Sequence, residues 1–115
     1  MLRPLADKGG ARAQYQLGYM YYIGLGVPQD YRTAAKWYEV AAERGFAQAQ
    51  HDLGVMYLDG QGVPQDYVQA HMWLNLAASQ LSDRDGRAAA IQARDFVASK
   101  MTAADIAEAQ RLARE

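Results

Sequence analysis

The sequence predicts an all-α protein assembled from stacked helix–turn–helix units. Three observations carry that reading. The chain repeats itself: displaced by 36 residues, positions 11–46 fall on 47–82 with 18 of 36 identical. A period in the mid-thirties marks arrays whose units bury their apolar faces against one another. Within each unit, apolar residues recur at spacings of three and four, the period of a helix: Ala13, Leu17, Met20 and Tyr21 in one run, then Ala34, Trp37, Tyr38 and Ala41 in the next. Strand signals are missing, with few β-branched residues and no polar–apolar alternation.

The elements follow in order. Leu5-Ala6-Asp7-Lys8-Gly9 aligns with Ala41-Ala42-Glu43-Arg44-Gly45, so residues 1–10 read as the end of a preceding unit's second helix. The first full unit, 11–46, is predicted to hold helices at 11–23 and 31–44. Between them, Gly24 and Gly26 supply the positive φ that ends one helix and reverses the chain. Pro28 bars the first helix from continuing. Asp30 stands where a carboxylate caps the free N–H groups of the second. The unit 47–82 repeats the plan with helices at 47–59 and 67–80, its Gly60-Gln61-Gly62-Val63-Pro64-Gln65-Asp66-Tyr67 echoing the first turn.

Gly18 and Gly54 lie inside helices, where Gly costs about 1 kcal/mol relative to Ala. Their recurrence implies close helix–helix contact, with Ala34 and Ala70 as the small facing residues. After Ser79 the repeat fades. Residues 82–86 read as a polar insertion and 87–100 as a long helix. Thr102 and Asp105 form a capping-box start for a helix at 103–114. That helix turns Ile106, Ala109 and Ala113 inward and Asp105, Glu108, Arg111 and Glu115 to water. Residues 83–115 are thus expected to be a degenerate helix pair that caps the stack. The whole of 1–115 reads as one repeat domain.

Composition narrows the function. The chain has 115 residues, half of them apolar, and a net charge of −1. No strong field invites nucleic acid or an anionic membrane. Cysteine is absent, which excludes disulfides, thiolate metal sites and a cysteine nucleophile. No apolar run is long enough to span a bilayer, and Met1–Leu5 carries no apolar signal core. The cytoplasm and the periplasm both stay open.

Catalytic and ligand motifs are weak. Gly24-x-Gly26 and Gly60-x-Gly62 follow helices rather than strands, and no Gly-Lys-Ser/Thr follows them, so they read as turns rather than phosphate cradles. The imidazoles are His51 and His71, without metal-ligand spacing. His71 aligns with Ala35 and is expected on an exposed face. Asp52 adjoins His51, but successive helical residues do not face each other. No pair among the 13 carboxylates stands out as an acid–base couple. The expectation is a protein with no catalytic residues, no metal and no cofactor.

Aromatic residues say more. Trp37, Trp73, Tyr21 and Tyr57 recur in both units and are assigned to the packed interior. Tyr15, Tyr19 and Tyr22 stand at i, i+4 and i+7, while their counterparts are His51, Val55 and Leu58. Positions that vary while the repeat stays fixed are not set by the repeat. They either line a recognition surface, where Tyr offers large contact area at low entropic cost, or fill the seam between units.

The pattern Ala-x-Ala-Gln-x-x-Leu-Gly-x-Met-Tyr, Gly-x-Gly-Val-Pro-Gln-Asp-Tyr, Ala-x-x-Trp-x-x-x-Ala-Ala resembles the Sel-one-like repeat family, a relative of the tetratricopeptide repeat with a longer inter-helix turn. The tail Met101–Glu115 is also similar to the segment that closes bacterial members. The resemblance implies a right-handed α/α superhelix, a solenoid serving as a non-enzymatic adaptor or scaffold for a protein or peptide. By comparison with tetratricopeptide arrays, Arg12, Tyr15, Tyr19, Tyr22, Gln48, His51, Val55 and Leu58 would face the concave, partner-binding side. Two alternatives accompany this reading. One is a structural spacer from a longer array, prone to self-association through an uncovered first-unit face near Leu17 and Tyr21. The other is β-lactam or cell-wall hydrolysis, for which the Ser-x-x-Lys nucleophile motif is missing at Ser79, Ser82 and Ser99.

Overall fold

The computed structural model describes residues 10–115, which form six α-helices and, among the described residues, no strand. In chain order they are α1 (Ala11–Ile23), α2 (Tyr31–Glu43), α3 (Ala47–Asp59), α4 (Tyr67–Gln80), α5 (Arg84–Ala98) and α6 (Ala103–Arg114). The expected end of an earlier unit at 1–10 lies outside the described residues, Gly10 apart. One boundary differs materially from expectation. The polar run 82–86 opens α5 instead of looping out, because the Asp83 carboxylate accepts from the Gly86 amide at 2.7 Å and caps the helix.

Repeated sequence produces repeated bonding. Gly24 (φ 74°) and Gly60 (φ 70°) adopt the left-handed conformation, and their amides donate to the carbonyls of Met20 and Met56. The Asp30 carboxylate accepts from the Thr33 amide and hydroxyl, at 3.2 and 2.8 Å. Asp66 caps α4 through the Gln69 amide. The amides of Asp30 and Asp66 donate to Tyr21 and Tyr57, while the side chains of Gln29 and Gln65 donate to the carbonyls of Tyr22 and Leu58. Each Gln-Asp pair therefore staples its turn to the preceding helix and starts the next one.

Each helix packs on its successor from α1 to α5, and α6 folds back on α4, giving an elongated body of 44 × 26 × 26 Å. The interior glycines set the approach within each hairpin. A Cβ at Gly18 would meet the Tyr38 ring at 2.8 Å and the Ala34 carbonyl at 3.2 Å; one at Gly54 would meet Leu74 at 2.8 Å and the Ala70 carbonyl at 3.3 Å. The main core gathers Ala34, Ala35, Tyr38, Ala41, Ala42, Ala49, Leu53, Met56 and Trp73. Gln50, buried at the junction of the two units, donates to the Ala42 carbonyl at 3.1 Å and satisfies an acceptor at the end of α2. Thr102 and Asp105 form the expected capping box, and Arg111 pairs with Glu108 and Glu115 on the wet side of α6.

Two sequence expectations need correction. Trp73 is buried, and Tyr21 and Tyr57 lie half-buried against the main core, but Trp37 is only half-buried. Trp73 shares its cluster with Ala41 and Ala42 of the preceding unit, whereas Trp37 lines a surface concavity. His71 is not exposed: 4% of its surface is accessible. Burial, followed by the charge of Arg94, holds its pKa below the ordinary 6.5, with Asp95 opposing weakly. The unfolded chain therefore binds a proton at His71 more readily than the folded one. Stability from the neutral imidazole is intact above pH 6.5 and falls as the pH drops below it. Thermal unfolding from pH 7.5 to about 5 should show a steeper loss for the wild type than for His71→Ala, which restores the residue of the first unit. Parallel curves would assign the acid sensitivity elsewhere.

Candidate functional site

Tyr19 and Tyr22 of α1, Tyr38 of α2, and His51, Asp52 and Val55 of α3 surround a concavity of about 250 Å³. Helical spacing places the two tyrosines on one face of α1, and the α2 turn brings Tyr38 beneath them. Four of the expected residues thus converge: Tyr19, Tyr22, His51 and Val55. Tyr19 is the most open of them, 46% exposed. Sequence reasoning missed Tyr38 and Asp52. The rule that singled out the tyrosines would have found both, since Gln16 becomes Asp52 and Tyr38 becomes Leu74 between units.

Asp52 organises the polar side of the site. The Tyr15 hydroxyl donates to its Oδ2 at 2.8 Å, and Gln48 Nε2 donates to its Oδ1 at 3.0 Å. His51 Nδ1 lies 3.1 Å from the same Oδ1. The expectation that neighbours on a helix stay apart fails here, because Nδ1 sits close to its own backbone and reaches a short carboxylate beside it.

Tyr15 belongs to the seam between units. Its ring stacks on Tyr38 at 5.4 Å and packs against Phe46 at 5.2 Å. Tyr22 serves both surfaces: its ring contacts Tyr31 at 5.1 Å and Tyr38 at 6.4 Å, and its hydroxyl donates to Gln61 of the next unit at 3.4 Å. Burial raises the pKa of Tyr15 above the usual phenol value, with Asp52 adding to the effect. Burial and then Asp52 do the same for Tyr38. Burial, Tyr31 and the carboxylates Asp52 and Asp59 raise that of Tyr22. These phenols remain protonated near neutral pH, able to donate hydrogen bonds and to present uncharged rings.

The other expected residues do not line this concavity. Arg12 is exposed on the first turn of α1. Gln48 acts through Asp52. Leu58, together with part of Val55, packs toward Ala70, Leu74 and Val97. On another face, Tyr21, Thr33, Lys36, Trp37 and Val40 line a broader concavity of about 420 Å³. Leu17, expected beside Tyr21 on an uncovered face, is buried at 5% exposure. The hydroxyls of Ser79 and Ser99 donate to carbonyls of their own segments, at Leu76 and Phe96. Among the described residues, no three His, Asp or Glu side chains gather as metal ligands, and no helix is long and apolar enough to cross a membrane.

The family model described as Sel1 repeat matches residues 11–46 and 47–80. Among solved structures, a protective antigen of uropathogenic Escherichia coli strains displaying an SLR fold superposes with a TM-score of 0.88 at 37% identity, over 97% of this chain and 23% of its own. A Sel1 repeat protein from Oxalobacter formigenes superposes with a TM-score of 0.70 at 34% identity, over 81% of this chain and 36% of its own. The chain thus spans well under half of either protein. No curated protein matches it.

Proposed function

The chain belongs to the Sel1 repeat family, whose members are generally protein-interaction scaffolds, and on that premise we propose that it is a non-enzymatic receptor for a peptide or protein segment. The receptor surface in this reading is the concavity between α1 and α3. The observation that carries it is Tyr19, a large aromatic left 46% exposed above a floor of packed phenols. An aromatic at the centre of a rigid concave surface has the composition of a binding hot spot. Stacked hairpins hold that surface in place before any partner arrives, which lowers the ordering cost of association.

The two groove tyrosines should separate in their effects. Tyr19→Ala should weaken partner binding by about 1 kcal/mol or more with no loss of thermal stability. Tyr22→Ala should weaken binding and also destabilise the fold, since its ring packs on Tyr31 and Tyr38. The test is a photo-cross-linking amino acid placed at position 19, with position 36 on the opposite concavity as the control. Partner adducts at 19 that vanish on competition with unmodified protein support the groove. Adducts at 36 alone would move the receptor surface to the Trp37 face.

A further inference from the structure

The same concavity holds a second piece of information, the chemistry of what it takes. Its walls are the rings of Tyr19, Tyr22, Tyr38 and His51 with the Val55 side chain, and its charged member is the Asp52 carboxylate. Among the described residues, His51 is the basic side chain within reach of Asp52, an ion pair only when its ring is protonated, and no Lys or Arg is paired with the carboxylate. Asp59 adds to the negative field at Tyr22. A carboxylate has about four acceptor positions. Tyr15 occupies one on Oδ2, while Gln48 and His51 share Oδ1, so Oδ2 keeps an acceptor position free.

Resting on the reading of this groove as a receptor surface, we infer that it recognises a basic side chain, arginine or lysine, of the partner segment. Neutral rings attract a cation over their faces. The apolar stem of Lys or Arg matches the Tyr and Val walls, and its charged head reaches the carboxylate. An acidic side chain would meet the like charge of Asp52. The volume agrees: about 250 Å³ is smaller than the roughly 300–1,000 Å³ of sites that enclose drug-sized ligands, and suits one side chain.

The probe is the capped tripeptide acetyl-Gly-Arg-Gly-amide, titrated into the isotope-labelled protein and followed by two-dimensional amide NMR. The controls replace Arg with citrulline, which keeps the shape without the charge, and with Glu. The expected result is a saturable shift confined to residues around Tyr19, Tyr22, His51, Asp52 and Val55, in the millimolar range. Citrulline should bind about tenfold more weakly and Glu not at all. Asp52→Asn should remove the preference for Arg over citrulline. Because Asp52 also ties Tyr15, Tyr19→Ala serves as a second variant that leaves the packed interior alone, and it should weaken the Arg peptide about threefold to tenfold. Citrulline binding as well as arginine at these residues would overturn the basic-side-chain inference while leaving the groove itself standing. No saturable shift at these residues with the Arg peptide would also overturn it, and cross-linking at position 19 then decides the groove separately.

Discussion

Gly62→Ala is expected to lower the stability of the fold by about 3 kcal/mol or more, while Gly26→Ala, at the equivalent place in the first unit, lowers it by about 1–2 kcal/mol. Both glycines adopt the same backbone, φ 75° and 76°, so the intrinsic cost of giving an L side chain that conformation is shared. Their surroundings differ. A Cβ at Gly26 would find Met20 Cε at 3.8 Å, an ordinary contact with the end of a flexible side chain. A Cβ at Gly62 would lie 2.4 Å from the Tyr31 carbonyl oxygen and 3.0 Å from the Arg32 amide nitrogen. These are backbone atoms in the first turn of α2, which Asp30 caps, so they yield only if the second unit's turn moves away from the first unit. For a domain whose total stability is of the order of 5–15 kcal/mol, such a loss is large. Equilibrium denaturation of the two variants under identical conditions measures the gap. Equal losses would show that the turn accommodates the methyl and that the units are not pressed together there.

That pair of glycines shows what the sequence makes legible and where it stops. Duplication exposes the helices, the Gly and Asp punctuation and the glycine–alanine approaches, because both units obey the same local chemistry. It cannot tell two copies of one residue apart when the difference lies in which unit packs beside them. Trp37 and Trp73 are identical in repeat position, yet Trp73 packs beside Ala41 and Ala42 of the unit before it and Trp37 lines an open concavity. The burial of His71 is hidden from the repeat pattern for the same reason: α5, which packs on α4, lies outside the repeat. Asp52 stands at a position that differs between the units, but the pattern of apolar spacings says nothing of the hydrogen bond it accepts from another hairpin. The Gln48 bond lies within α3, between residues four apart on one helix face, whereas the bond from Tyr15 emerges only once α1 and α3 are placed side by side.

The substitution that joins fold and site is at Tyr38. Its side chain is 1% exposed, faces Gly18, and stacks with Tyr15 while touching Tyr22. Removing a buried ring of this size costs about 3–5 kcal/mol, through lost burial and the cavity left behind. Tyr38→Ala is therefore expected to bring a marginal domain close to unfolding at physiological temperature. The second unit suggests a milder exchange. Opposite Gly54 stands Leu74, fully buried, in the register of Tyr38. Tyr38→Leu should consequently cost only about 1–2 kcal/mol, much of it from the aromatic contacts with Tyr15 and Tyr22. Denaturant titration of the two variants tests the order, and near-ultraviolet circular dichroism reads the loss of the stacked phenols directly. If the leucine variant falls as far as the alanine variant, volume opposite the glycine is not what Tyr38 supplies, and the ring stack beneath the groove is the larger part of its contribution. The two units would then have reached one packing geometry by different means: an aliphatic plug in the second, and in the first a layer of phenols that also forms the floor on which Tyr19 is presented.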